Sequence, residues 1–178
     1  MNLESLLHSA FADYEKALEL LQSEDYYDAA EKAWNAIETL RKAFLVALGV
    51  PYDKAKTVNY GLPLFSRLMR ALGLRKLLRK YEWFDYKLHI MGFYERITSE
   101  EEIKEIIEKH IDPWLREMHQ VIMKIRGAKI GNILEIYDQM IRLKQEVLKK
   151  SGELARIRSE LAKRINTFAS SLRAILQG

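Results

Sequence analysis

One short segment of the chain combines a histidine with a carboxylate at helical spacing. Asp85 precedes His89 by about one helical turn, so the carboxylate would orient the imidazole and raise its pKa. Such an imidazole is suited to act as a general base or to contact a phosphate. Tyr94, Glu95 and Arg96 add polar groups nearby but are not diagnostic. A structural histidine beside a carboxylate has the same spacing, so both interpretations stay open.

The four histidines do not form a metal-binding pattern. No two of His8, His89, His110 and His119 are spaced i, i+4 with a carboxylate in the usual arrangement. His110 and Asp112 remain as candidate ligands. The chain has no cysteine, phosphate loop, glycine-rich dinucleotide turn or nucleophile elbow. We therefore expect no metal and no cofactor, and a bound nucleotide would be held by side chains.

Two further sets of residues are suited to nucleic-acid binding. Trp34 and the tyrosines can stack on bases, although aromatic residues at helical spacing also build cores. Residues 66–80 contain no acidic residue and carry a run of basic ones, namely Arg67, Arg70, Arg75, Lys76, Arg79 and Lys80. This run predicts phosphate contacts, or else a solvated helix face whose aliphatic stems cover apolar surface.

The composition favours long helices. Only 3 prolines and 8 glycines occur in 178 residues, and Leu, Ile, Ala, Glu, Lys and Arg dominate. The net charge is +4, and residues 127–178 carry ten Lys and Arg against five Asp and Glu. With no leader sequence and no apolar run approaching ~18 residues, we expect an all-α protein that is soluble, cytoplasmic and free of membrane contact.

Residues 25–49 form the segment around which the other helices should pack. Apolar residues recur along it at steps of three and four, and small alanines alternate with large side chains. Similar patterns predict helices over 3–21, 63–72, 74–97 and 99–127, with caps at Asn2, Ser23 and Ser99, a loop from Gly49 to Gly61, and a break at Pro113.

The chain is predicted to divide near residue 127. Residues 1–126 would form an up-and-down bundle, and residues 127–178 a basic helical hairpin or coiled-coil extension that follows a glycine hinge at Gly127 and Gly131. The extension shows heptad-like repeats, namely Leu134, Ile141 and Leu148, then Leu154, Leu161, Phe168 and Ile175 with Ile157, Ile165 and Leu172 between them. Such a hairpin would pack on the bundle or on a second chain.

Two motifs in the predicted bundle carry a family resemblance. DYYDAAEKAWNAIETLRKAF at 25–44, followed by LHIMGFYE at 88–95, resembles the PaREP family of archaeal helical proteins, which is related to HEPN-type bundles. The resemblance covers about residues 3–125. It implies a HEPN-like bundle of four to five helices that dimerises through a helix face. It also implies a link to nucleotide or RNA biology, because HEPN-type relatives include metal-independent ribonucleases and partners of nucleotidyltransferases in toxin–antitoxin pairs.

The chain departs from those ribonucleases at their motif. They use an arginine followed by four to six residues and a histidine, whereas two residues separate Arg116 from His119 and nine separate Arg79 from His89. This departure argues against hydrolysis. The residues that match the PaREP-type motifs are Lys32, Trp34, His89 and Tyr94, and the resemblance makes them candidates for a cluster that faces a ligand or a partner.

Three functional hypotheses follow. The first is a non-catalytic HEPN-like protein that acts as a homodimer and binds a nucleotide, an RNA or a protein partner. The second is a divergent metal-independent ribonuclease with His89 as base and a basic residue from 67–80 holding phosphate. The third is an interaction protein that oligomerises, or binds a protein partner, through residues 127–178.

Overall fold

The computed structural model describes residues 1–146 and 151–177, and all regular elements within them are helical. The α-helices are α1 (Leu3–Gln22), α2 (Tyr26–Ala47), α3 (Tyr52–Ala55), α4 (Gly61–Ala71), α5 (Arg75–Phe84), α6 (Glu100–Ile106), α7 (Asp112–Ile125), α8 (Asn132–Glu146) and α9 (Ser151–Gln177). Two π-helical segments, π1 (Asp85–Tyr94) and π2 (Ile107–Ile111), follow α5 and α6 directly. The predicted all-α class is confirmed. None of the described helices has the length and apolarity of a membrane span.

Helix α2 lies at the centre of the molecule, as its apolar pattern predicted. It contacts α1, α4, α6, α7 and π1. Its buried residues cover most of its circumference, namely Ala29, Ala30, Ala33, Trp34, Ala36, Ile37, Leu40, Arg41, Ala43, Phe44, Leu45 and Ala47. The alanines let neighbouring helices approach closely, and the larger side chains fill the space between these close contacts.

The junction between α1 and α2 confirms one predicted cap and corrects another. Asn2 caps α1, because its Oδ1 accepts from the Ser5 amide at 2.9 Å. Ser23 does not begin α2; its Oγ donates to the Leu20 carbonyl at 3.0 Å and so closes α1. Asp25 is the N-cap of α2. Ser23 is suited to the end of α1 because its hydroxyl reaches the free carbonyls of the preceding turn.

The predicted helix over 74–97 changes its geometry at Asp85. Segment π1 is wider than an α-helix because its amides bond five residues back. Its Gly92 lies close to α2, and a Cβ there would be 3.4 Å from Ala30 Cβ and 2.9 Å from the Lys87 carbonyl. That carbonyl also accepts from the buried Thr98 hydroxyl at 3.1 Å. These contacts hold the wide segment against the core.

The break predicted at Pro113 is not observed, because the helical path continues from α6 through π2 into α7. Pro113 lies in the first turn of α7 and has no amide hydrogen to donate. The turn before it adopts the wider π-helical geometry of π2, so the helix changes its geometry next to the proline. The predicted cap at Ser99 is confirmed, because its Oγ accepts from the Glu102 amide at 3.2 Å.

The connection after α2 is more ordered than the predicted loop. It contains the short helix α3, and α4 begins at Gly61, two residues before Pro63. Gly61 lies against α3, where a Cβ would be 2.0 Å from the Ala55 carbonyl oxygen. Only glycine allows this close approach of two backbone segments.

Helices α8 and α9 pack on the rest of the chain. The Tyr60 hydroxyl donates to Asp138 of α8 at 2.6 Å, and the Arg173 guanidinium of α9 donates to the carbonyl of Ala71 at the end of α4. Their buried side chains join the common core and are Ile133, Tyr137, Met140, Leu161, Ile165, Ala169 and Leu172. The division near residue 127 remains a prediction.

The buried face of α9 matches the predicted heptad in part. Leu161, Ile165 and Leu172 are buried and Phe168 is half-buried, but Ile175 is 51% exposed. Packing against α4 and α7 as well as α8 selects a face with steps of four and three. Leu148 of the predicted repeat lies outside the described residues, as does the side chain of Leu154.

Candidate functional site

A cavity of about 450 Å³ opens between α2, the start of α4 and the α5–π1 helix. We call it the aromatic cavity. Its lining residues come from four segments and are Trp34, Glu38, Arg41, Val58, Leu62, Tyr81, Asp85, His89, Ile90 and Tyr94. The volume lies within the range of about 300–1,000 Å³ that is typical of small-molecule sites.

Aromatic rings form one side of the aromatic cavity. The rings of Trp34 and His89 stack with 5.1 Å between their centroids and 23° between their planes. Tyr81 lies against Trp34 at 5.4 Å, and Tyr94 meets His89 edge-on at 4.8 Å. His89 and Tyr94 are five residues apart and share a face because one turn of a π-helix is wider than one turn of an α-helix.

A buried ion pair forms the base of the aromatic cavity. Arg41 donates to both carboxylate oxygens of Glu38, at 2.7 and 2.6 Å, and to the Ala55 carbonyl at 2.9 Å. The Tyr81 hydroxyl donates to Glu38 at 2.9 Å. Burial and the Glu38 carboxylate raise the pKa of Tyr81 above its usual range, so the phenol stays neutral. Arg41 and Glu38 are thus occupied by each other and by the scaffold.

Two polar groups of the aromatic cavity are not occupied in this way. The Nδ1 atom of His89 is buried and has no hydrogen-bond partner among the described residues. Asp85 is half-buried, and burial raises the pKa of its carboxyl while the neighbouring His89 opposes the shift. A desolvated carboxylate and an unpartnered imidazole nitrogen in one cavity indicate a binding site.

We expect Asp85→Asn to stabilise the free protein at pH 7. The folded pKa of Asp85 is raised, so stability falls as pH rises from the unfolded pKa through the folded one, and the penalty persists at neutral pH. The amide removes it, and melting should shift upward by about 1–3 °C, since ~1 kcal/mol corresponds to about 2–4 °C and solvent screening reduces the effect. Melting curves should show the advantage at pH 7 and its loss near pH 4. An unchanged or lower melting temperature at pH 7 would contradict this expectation.

The structure brings together three of the four residues that the motifs singled out. Trp34, His89 and Tyr94 line the aromatic cavity. Lys32 lies roughly 200° around α2 from Trp34, because each residue of an α-helix turns by about 100°. Its Nζ is 3.8 Å from Asp13 on α1. The family resemblance grouped Lys32 with the other three residues, but the geometry of α2 directs its side chain away from the aromatic cavity.

Sequence reasoning missed the buried set of Glu38, Arg41 and Tyr81. The i, i+3 spacing of Glu38 and Arg41 indicates an ion pair. Glu38 also lies four residues before Lys42, whose Nζ is 3.9 Å from the carboxylate. The burial of Arg41, which is 1% exposed, depends on α3 and α4 covering it. No local pattern contains that information.

Three of the basic residues of 66–80 line a second cavity. Arg67, Arg70 and Arg75 surround a volume of about 370 Å³ together with Arg173 of α9. We call it the arginine groove. Within it Arg70 lies 3.5 Å from Glu82, a weak exposed pair. The other predicted phosphate contacts, Lys76, Arg79 and Lys80, are exposed on α5 outside the groove lining.

The remaining candidate ligands lie apart from both cavities. His110 packs edge-on against Trp83 at 5.6 Å, and Asp112 accepts from Arg116 at 2.7 Å. Within residues 1–146 and 151–177 no three His, Cys, Asp or Glu side chains are grouped so that they could hold a metal ion.

The fold and the aromatic cavity define an all-α protein whose two sequence motifs meet at one site. The sequence model of the Archaeal PaREP1/PaREP8 family matches residues 5–112, and the chain belongs to this family. The matched part contains every lining residue of the aromatic cavity but not Arg173. No curated protein and no solved structure matches the chain.

Proposed function

We propose that this chain is a non-catalytic binding protein of the HEPN-like type, which holds a base of a nucleotide or of an RNA in the aromatic cavity. The observation that carries the proposal is the stacked pair of Trp34 and His89 beside an unpartnered imidazole nitrogen and a desolvated Asp85 carboxylate. Flat rings favour a planar ligand, and few convergent polar groups orient it.

The charges of the two cavities support a base rather than a phosphate in the aromatic cavity. Its lining contains one cation, Arg41, whose hydrogen-bonding groups already serve Glu38 and Ala55. A phosphate would therefore lie outside this cavity. The arginine groove offers several guanidinium groups for phosphates of a longer RNA. The proposal thus assigns base contacts and backbone contacts to different surfaces.

We expect His89→Ala to weaken binding of nucleotides and short RNA by roughly 5- to 150-fold, because aromatic stacking on one base contributes about 1–3 kcal/mol. Fluorescence titration and native gels at two salt concentrations would measure this. His119→Ala is the matched control, since His119 packs edge-on against Phe11 at 5.7 Å, away from the cavity. Equal loss in both variants, or no loss in either, would count against the aromatic cavity.

A divergent ribonuclease is the second candidate function, favoured by the position of His89 next to the Asp85 carboxylate in a cavity. The same RNA samples on denaturing gels test it. Cleavage products that form without metal in the wild type and are absent with His89→Ala would support the ribonuclease instead of the non-catalytic binding protein. The hydrogen bonds of Arg41 to Glu38 and Ala55 disfavour this candidate. A ribonuclease stabilises the negative charge that develops on the reacting phosphate, and Arg41 is the one cation among the described residues that line the cavity.

We also propose that the chain forms a homodimer through the outer face of π1. Apolar side chains are exposed on π1, where Tyr86 is 52%, Ile90 39% and Tyr94 68% exposed, and Ile97, which follows π1 in the chain, is 61% exposed. Ile90 and Tyr94 also line the aromatic cavity. Contiguous apolar surface of this kind indicates a protein interface. The mass in solution of the double variant Tyr86→Ser/Ile97→Ser tests this face. A nucleotidyltransferase of a toxin–antitoxin pair, or a protein bound through residues 127–178, would be alternative partners.

A further inference from the structure

Some polar groups that line the aromatic cavity already have hydrogen-bond partners, and others do not. The groups without partners determine which ligand the cavity can bind. Glu38 already accepts from Arg41 at 2.7 and 2.6 Å and from Tyr81 at 2.9 Å. Arg41 uses its other amino group on the Ala55 carbonyl. These bonds use most of the hydrogen-bonding capacity of the Glu38 carboxylate, so the ion pair leaves less for a ligand than a carboxylate without partners does.

The Asp85 carboxylate is the acidic group of the lining that keeps its full accepting capacity. It lies one turn after Tyr81 and one turn before His89 on the same helix face, and no ion-pair partner within the described chain neutralises it. An ionised carboxylate offers two oxygens and only accepts hydrogen bonds. A ligand that fits it must present donors side by side.

The four RNA bases differ in this respect. Guanine carries two adjacent donors, N1–H and the N2 amino group, which match the two oxygens of a carboxylate. Adenine and cytosine place a ring nitrogen acceptor beside their amino group, and uracil flanks its N3–H with two carbonyls. Each of these three would bring an acceptor towards the carboxylate, which leaves both groups desolvated and unpaired.

We infer that the aromatic cavity selects guanine, with the Asp85 carboxylate accepting from N1–H and the N2 amino group while the rings of Trp34, His89 and Tyr94 supply the apolar contact. This inference rests on the proposed function and names the base that the site takes. A small organic cation is the competing ligand for a carboxylate among aromatic rings. Tetramethylammonium is therefore included in the test to distinguish such a cation from guanine.

The test is isothermal titration of the full chain with guanosine, inosine, adenosine, cytidine and uridine 5′-monophosphates. We expect guanosine monophosphate to bind at least about 10-fold more tightly than the others, inosine included, because each hydrogen bond to a charged acceptor is worth roughly tenfold or more. Inosine retains N1–H and lacks only the N2 amino group. Its loss of affinity therefore reports on that contact alone.

Asp85→Asn should reduce the preference for guanosine over adenosine monophosphate to within about threefold, because the amide presents a donor as well as an acceptor. Asp53→Asn is the matched control and should keep the preference, since Asp53 is 88% exposed and outside the cavity. Equal binding of all five nucleotides would overturn guanine selection and leave the proposed function standing. If none of the five nucleotides binds, or if only tetramethylammonium binds, both guanine selection and the proposed function would be overturned.

Discussion

Arg41→Met is expected to lower the free energy of unfolding by about 3 kcal/mol, at the lower end of the range for removing one partner of a buried ion pair. The side chain of Arg41 is 1% exposed and that of Glu38 is 20% exposed. Without the guanidinium, the partly buried Glu38 carboxylate would lose both charged hydrogen bonds and keep the Tyr81 hydroxyl, and the Ala55 carbonyl would lose its side-chain donor. Urea unfolding monitored by far-UV circular dichroism would measure the change.

Arg116→Met serves as the control for that variant. Arg116 also pairs with a carboxylate, Asp112, at 2.7 Å, but its side chain is 71% exposed. Its loss should leave the urea unfolding midpoint nearly unchanged, because an ion pair on the solvated surface contributes little to stability. A second substitution, Glu38→Leu, in the Arg41→Met background should recover part of the stability, because it removes the unpaired charge. Equal losses of stability in the two arginine variants would show that the Arg41–Glu38 pair contributes no more than a surface ion pair.

Gly61→Ala is the second substitution with a large expected effect, about 3 kcal/mol of destabilisation at the upper end of the overpacking range. The added methyl group would lie 2.0 Å from the Ala55 carbonyl oxygen and 3.0 Å from an Arg41 nitrogen. Neither atom can move freely, because they are hydrogen-bonded to each other. The variant should also weaken nucleotide binding, since α3 and α4 would separate beside the aromatic cavity.

Gly127→Ala distinguishes steric crowding from the general effect of replacing a glycine. No atom lies within 4 Å of the Cβ position at Gly127, and its φ of +87° adds only backbone strain. We expect a loss of about 1–2 kcal/mol there. Thermal or urea unfolding of both variants gives the comparison. A loss at Gly61 no greater than that at Gly127 would mean that α3 and α4 can separate easily.

These substitutions connect the scaffold to the proposed function. Arg41 keeps Glu38 and the Ala55 carbonyl occupied, so the polar groups left for a ligand are those of Asp85 and His89. The stabilising residues Arg41 and Glu38 and the proposed binding residues Asp85 and His89 thus lie in one cavity. The first two are hydrogen-bonded to each other, whereas the other two remain open to a ligand. Asp85→Asn should raise stability while reducing guanine preference, and Arg41→Met should lower stability. Opposite signs of this kind are typical of a functional site built on a rigid base.

Much of the secondary structure could be predicted because its determinants are local. Asn2 and Ser99 cap helices through contacts within three residues. The π-helical geometry of π1 could not be predicted in this way. The same apolar residues fit an α-helix and a π-helix, and close packing of Gly92 on Ala30 belongs to the tertiary structure.

The candidate site was predicted in part. The family resemblance grouped Trp34 with His89 and Tyr94, although the first two are 55 positions apart in the numbered sequence, and the structure places all three in one cavity. It also included Lys32, which helix geometry directs towards Asp13. The arginine groove needs Arg173, which approaches the basic segment only because α9 packs on α4.

The amino-acid sequence by itself determined that this protein is all-helical, where most of its helices begin and end, and which apolar face of α2 is buried. Those properties depend on propensity, capping and periodicity over a few residues. The tertiary structure decided which polar groups are satisfied and which are left for a ligand. Glu38 and Tyr81 meet across 43 positions, and their contact leaves Asp85 as the accepting group. Hydrogen bonds between distant segments depend on how the helices pack, and no local pattern encodes that packing.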